Sequence, residues 1–277
     1  MPALRKLLKV VLAGLLVLAW TADSGAEYFR HRQSDIDPGI FRIEEKKYLG
    51  NKIDPDLMIV ATDGRAFAFR ELLGKPLVLV LSYYTCDGSC SAVNGEVKAL
   101  LEQVKRLEMG KDYRVLTLSF DKNDTLETLK KFQEVTRLSE SLVPGWTFGV
   151  FQDGERIEEI TKQVLGFRFF WTPQDRIFYH PNVMIVLTGD GRVSRYVYLL
   201  TNSKTDAELA LLDAKQGNFK PGEVIDFAIS LCYSYNFKEG RYTWNIPLFV
   251  GAGSFLLGIL LLIGSVLFYR KRKKTEV

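Results

Sequence analysis

From Ile246 to Tyr269 the chain carries no charged residue, and Arg270, Lys271, Arg272, Lys273 and Lys274 follow at once. A run of this kind exceeds the ~20 residues that a membrane-spanning helix needs. A helix buried in a soluble core is not apolar on every face and then closed by consecutive cations. Trp244 and Tyr269 stand where the two membrane interfaces would lie, and the basic cluster marks the cytoplasmic side. The residues before the span are therefore expected outside the cytoplasm.

The N-terminus agrees with that topology. Arg5, Lys6 and Lys9 give a positive start, Val10 to Trp20 form an apolar run, and Ser24-Gly25-Ala26 supplies small residues. This pattern reads as a secretory signal cleaved after Ala26. An uncleaved anchor is the other reading, although the apolar run is short of the ~20 residues of a spanning helix. Either way the domain that follows is exported, into a compartment where thiols can oxidise.

Setting aside the apolar ends of the 277 residues leaves roughly 200, enough for one well-buried domain. The formal charge of +4 originates in the C-terminal basic run, so no nucleic-acid partner is expected. There are three cysteines, Cys86, Cys90 and Cys232, and two histidines, His31 and His180. That is too few for a disulfide scaffold, and an odd count forbids complete internal pairing.

Apolar runs alternating with helical spacing predict an α/β domain. Strands are expected at Leu57 to Ala61, Leu77 to Tyr84, Tyr113 to Phe120 and Trp146 to Val150. Helices are expected at Val93 to Leu107, at Thr125 to Val135 with Asp124 as its N-cap, and at Ile157 to Val164. Val183 to Thr188 and Val193 to Leu199 flank Gly189-Asp190-Gly191, a hairpin signal, and helices near 205–215 and 221–233 close the domain. The sum is a mixed sheet flanked by helices, of which the thioredoxin-like fold is one form. The expected organisation is a signal (1–26), a spacer (27–56), the thioredoxin-like domain (57–220), a juxtamembrane segment (221–245), a transmembrane helix (246–269) and a basic cytoplasmic tail (270–277).

The chemistry concentrates in Tyr83-Tyr84-Thr85-Cys86-Asp87-Gly88-Ser89-Cys90, where a buried strand hands over to a helix. Four-residue spacing puts both sulfurs on one side of a first helical turn. A helix N-terminus stabilises thiolates. Two neighbouring thiolates can close a disulfide or grip a soft metal, Cu(I) above all. Packing as two small hydrophobes is the bland alternative, and the polar turn Asp87-Gly88-Ser89 argues against it. A closed zinc site would want four protein ligands. His180, in Tyr179-His180-Pro181-Asn182-Val183, enters a buried strand. From there it can face the cysteines and complete a Cys-Cys-His site, or serve as a structural histidine. His31, between Arg30 and Arg32, reads as solvated.

From about residue 55 to the membrane helix the chain resembles the Sco/SenC family of copper-handling proteins in cytochrome oxidase assembly, especially its bacterial membrane-anchored relatives. The resemblance rests on Cys86 to Cys90 with Asn94-Gly95, Leu116 to Asp121, Gly166-Phe167-Arg168, His180, and Met184 through Arg192. Cys232 to Tyr235 with Gly240-Arg241-Tyr242 extends it towards the anchor. It implies a thioredoxin-like fold, and copper ligation by Cys86, Cys90 and His180. It further implies a copper-bearing oxidase subunit as partner, and a single-pass location in the cytoplasmic (inner) membrane with the domain outside.

Two departures bear on the chemistry. Asp87 stands where the family often has proline and Ser91 where it commonly has proline or threonine, and the Asp87 carboxylate would raise the pKa of thiolates beside it. Asp121 is expected either to orient a loop near the site or to cap its turn. Two functions follow: a copper-binding chaperone, or a thiol-disulfide reductase acting through Cys86 and Cys90 alone as a redox-active pair. A peroxidase reading is weak, because Tyr83 occupies the place of the threonine that peroxiredoxins require. Cys232 is expected to be a bystander thiol.

Overall fold

The computed structural model describes residues 38–85, 89–219, 233–236, 241–244 and 246–275. The signal region, His31, Cys86 and Cys232 lie outside the described residues, as does the expected helix at 221–232.

Seven strands make the central sheet: β1 (Met58–Ala61), β2 (Ala66–Ala68), β3 (Leu77–Ser82), β4 (Arg114–Ser119), β5 (Trp146–Phe151), β8 (Val183–Leu187) and β9 (Val193–Tyr198). Their order is β2-β1-β5-β4-β3-β8-β9. The central trio β3, β4 and β5 runs parallel, while β8 pairs antiparallel with β3, and β1 with β5. Every residue of β3, β8 and β9 is buried, as expected of strands covered on both faces. Helix α1 (Ser89–Leu101) packs on α2 (Leu126–Thr136) and α3 (Lys204–Lys215), and α3 also packs on β8 and β9. This mixed sheet flanked by helices is thioredoxin-like. A separate hairpin, β6 (Phe170–Thr172) with β7 (Ile177–Tyr179), stands off the main sheet, and β10 (Tyr233–Asn236) pairs with β11 (Arg241–Trp244).

Most strands begin and end within two residues of the sequence expectation, and the differences have physical causes. Helix α1 starts at Ser89 and stops at Leu101 rather than running from Val93 to Leu107. The expected helix 157–164 is a short α-turn, Arg156–Glu158, running into a π-helical stretch, Glu159–Val164. There Leu165 N–H reaches back five residues to the carbonyl of Ile160 at 3.1 Å. Tyr233, expected to end a helix, lies in β10. Ile43, Tyr48 and Ile53, within the stretch expected as spacer, are buried in the core. Gly166 (φ +66°) lets the chain pass over Tyr48, where a Cβ would sit 2.5 Å from the ring.

The N-cap of α2 is Thr125, not Asp124. Thr125 Oγ1 accepts from Thr128 N–H at 3.4 Å, and Thr128 Oγ1 accepts from Thr125 N–H at 2.9 Å. Asp124 turns away because its carboxylate is engaged elsewhere. The C-terminal helix α4 (Ile246–Thr275) contains Ile246–Gly264, mean hydropathy 2.5 and unburied, long and apolar enough to cross a membrane.

Candidate redox and metal site

The sheet topology decides what can meet at the site. Antiparallel pairing sets Val80 of β3 opposite Met184 of β8, so the entry to β8 lies beside the exit of β3. The parallel partner β4 ends at the same edge, Ser82 opposite Ser119. Ligands of α/β sheets gather in such crevices outside carboxyl strand ends. His180 enters from β7, and Tyr83 leaves β3 three residues before Cys86.

The His180 ring is half-buried in an aromatic cage. Its centroid lies 5.3 Å from Phe120, 5.6 Å from Phe167 and 6.2 Å from Tyr83. Nδ1 lies 3.0 Å from the Pro181 carbonyl oxygen. A hydrogen bond there has Nδ1–H donating to the carbonyl oxygen and so fixes the orientation of the ring. His180 is thus brought to the strand end that leads to Cys86. Helix α1 includes Cys90 in its first turn, but the side chains of both cysteines lie outside the described part. Among the described residues no cluster of three or more His, Cys, Asp or Glu forms a metal site.

Hydrogen bonds hold the chain on either side of the cysteine motif. Asp124 Oδ2 accepts from Tyr84 N–H at 2.7 Å and from Ser119 Oγ at 2.5 Å. Burial pushes this carboxyl above the usual range against those hydrogen bonds. Burial, then the Asp124 charge, pushes the Tyr84 phenol well up. Asp121, as one of its two expected roles required, caps its own turn: Oδ1 accepts from both the backbone and side-chain N–H of Asn123 at 2.9 Å.

Beside the site a cleft of about 680 Å³ opens, lined by Thr85, Asp121, Phe120, Phe169, Trp171 and Phe178 among others. The β6–β7 hairpin forms one wall and was not foreseen from the sequence. Its signal was the density of aromatic rings in Phe167-Arg168-Phe169-Phe170-Trp171. Trp171 remains 46% exposed, and Lys162 Nζ sits 5.0 Å over the Phe169 ring.

The family model described as SCO1/SenC matches residues 45–210. The chain belongs to the SCO1/SenC family. Two solved structures from Aquifex aeolicus VF5, described as candidate electron transfer and electron transport proteins, resemble it. One is 28% identical with a TM-score of 0.54, and the alignment covers 61% of this chain and 95% of that one. The other is 27% identical with a TM-score of 0.51, covering 61% and 99%. BsSco, described as a member of the Sco family of cytochrome c oxidase assembly proteins, is similar in fold: 20% identity, TM-score 0.50, covering 62% and 97%. No curated protein matches the chain in sequence. The SCO1/SenC match spans the residues of the cysteine motif, the cage of His180 and the cleft.

Proposed function

We propose that this protein is a membrane-anchored copper carrier that supplies the copper centre of a respiratory cytochrome oxidase. In this reading α4 anchors it in the cytoplasmic membrane, the folded domain faces outward, and the partner is the copper-bearing oxidase subunit. Copper is the cargo, held as Cu(I) by the thiolates of Cys86 and Cys90 with the imidazole of His180. Soft sulfur ligands favour Cu(I), and a nitrogen donor extends the site to Cu(II). The observation that carries the reading is the caged ring of His180 against Tyr83, at the strand end leading to Cys86. The cage holds one ring orientation, which is what a ligand needs and what a solvated histidine lacks.

The cleft beside Thr85 favours a second reading, thiol-disulfide reductase, because it offers room for a peptide segment next to the pair. One cysteine thiolate would attack a partner disulfide and release one partner thiolate. The other cysteine would then displace the second, leaving the partner as a dithiol and Cys86–Cys90 as the disulfide. Two electrons pass to the partner, which in this reading is the same oxidase subunit.

His180 separates the two. His180→Ala leaves two thiolates, which hold Cu(I) in linear geometry but suit Cu(II) poorly. The coloured Cu(II) complex of the full-length protein should vanish while most Cu(I) binding and all disulfide reduction persist. In cells at limiting copper, His180→Ala should impair oxidase activity as Cys86→Ser does. Full activity with His180→Ala alone would replace the carrier with the reductase.

A further inference from the structure

Phe170 and Trp171 are neighbours on β6, so their side chains leave opposite faces of the β6–β7 hairpin. Phe170 stacks on Tyr179 with ring centroids 5.4 Å apart, and Trp171 meets Phe178 edge-on at 4.9 Å. Both line the cleft of about 680 Å³, so the cleft runs along the edge of β6 and not along one face of the hairpin. β6 pairs with β7, and its other edge meets no strand among the described residues. The turn between them is fixed: Arg176 takes φ +55° and donates its N–H to the Thr172 carbonyl oxygen at 2.8 Å. The cleft also includes Thr85, Asp121 and Lys122, which follow the ends of β3 and β4.

The charges around this edge are unbalanced. Lys122, Arg168 and Arg176 are exposed and form no ion pair among the described residues. The acids nearby are mostly engaged. Glu158 Oε1 accepts from Lys162 Nζ at 2.6 Å, Asp121 Oδ1 from Asn123 N–H at 2.9 Å, and Asp175 Oδ2 from the Tyr179 hydroxyl at 2.9 Å. Glu155, beside Gly154, is exposed and stands alone against the three cations. An open strand edge supplies main-chain hydrogen bonds to an extended peptide, and an exposed tryptophan supplies an anchor. Unpaired cations select an acidic peptide over a basic one.

We propose that the free edge of β6 docks an extended segment of the partner protein, with acidic and apolar residues in alternation, as an added strand. Alternation follows from strand geometry: one set of side chains enters the aromatic cleft beside Trp171, and the other reaches the cations at its rim. The docking deepens the proposed function and rests on its reading that a protein partner is served at this end of the sheet. It brings the segment to Thr85, the residue before Cys86.

The probe is a blocked, dye-labelled octapeptide of alternating phenylalanine and glutamate. It is titrated with reduced, copper-free, full-length protein in neutral detergent and read by fluorescence anisotropy. Binding should saturate below about 1 mM. A counterpart with lysine in place of glutamate should bind at least about tenfold more weakly. Trp171→Ala should weaken binding about tenfold or more, as the loss of an anchor does. Lys122→Glu, an exposed change that spares the fold, should weaken it about fivefold, and the difference should shrink in about 1 M salt. Lys111→Glu makes the same charge change before the start of β4, at the opposite end of the sheet, and should stay within about twofold of wild type. No saturable binding, wild-type affinity in Trp171→Ala, or equal losses in Lys122→Glu and Lys111→Glu would overturn the inference. So would a bilayer on the same edge, seen as binding of anionic-lipid vesicles that Trp171→Ala abolishes and the peptide does not displace. The titration holds no copper, so absent docking leaves the copper carrier standing, and a protein that holds no copper leaves the docking standing.

Discussion

Tyr84 donates its phenolic hydrogen to the carbonyl oxygen of Gly149 at 2.6 Å, with the Thr117 carbonyl oxygen also within reach at 3.0 Å. One side chain thereby ties the exit of β3 to β4 and β5. Its backbone N–H is held by Asp124 two residues before Cys86. The support of the site is thus continuous with the core of the sheet.

Tyr84→Phe should therefore destabilise the protein by about 1–3 kcal/mol, the cost of leaving buried carbonyl oxygens unsatisfied. It should also change the alkaline limb. Burial and the Asp124 charge raise the folded pKa of Tyr84 well above its ordinary value. A raised pKa means stability that is full below the unfolded value, about 10, and lost as pH rises above it. Urea denaturation from neutral to strongly alkaline pH should show a shallower decline in Tyr84→Phe. An unchanged slope would contradict the assignment.

Arg195 Nη2 and Asp213 Oδ2 meet at 2.8 Å with both side chains almost wholly buried, joining β9 to α3. Asp213→Ala should cost about 3–5 kcal/mol, because it strands a buried guanidinium. Replacing the pair together, Arg195→Met with Asp213→Leu, should recover most of that loss. Chemical denaturation of the three proteins measures both effects.

The buried strands of the sheet centre were legible in the sequence because continuous apolar runs, as in Leu77 to Leu81, have few other uses; the short strands β2, β6, β7, β10 and β11 carry no such run. The hairpin at Gly189 to Gly191 was legible because its turn chemistry is local: Gly191 takes φ +88° and Thr188 Oγ1 donates to Asp190 Oδ1 at 2.5 Å. The start of α1 was not, since Ser89 and Cys90 add nothing to the apolar period. Nor was Thr125 as N-cap: Asp124 is the stronger capping residue on its own, and its engagement with Tyr84, 40 positions away, is invisible locally. His180 could be picked out as one of two histidines. Its cage could not, because Tyr83, Phe120 and Phe167 converge only through sheet order.

The redox pair has its own test. In air, Cys86 and Cys90 should form a reversible disulfide with Cys232 free, as read by mass spectrometry of alkylated peptides. A bond from Cys232 to either would reject the assignment of the pair.

Topology follows from the basic run after Tyr269. A reporter fused after Val277 should be active in the cytoplasm, and one replacing the chain after Tyr242 should be active outside. The reverse pattern would place the domain on the wrong side of the membrane for the proposed partner.

The most direct test of the copper reading is the copper retained by reduced full-length protein after loading with Cu(I) and dialysis against a chelator of moderate affinity. Two thiolates and an imidazole should retain about one copper per chain. The double variant Cys86→Ser, Cys90→Ser should retain none. A wild-type protein that holds no copper, or a double variant that holds as much as wild type, would contradict the account.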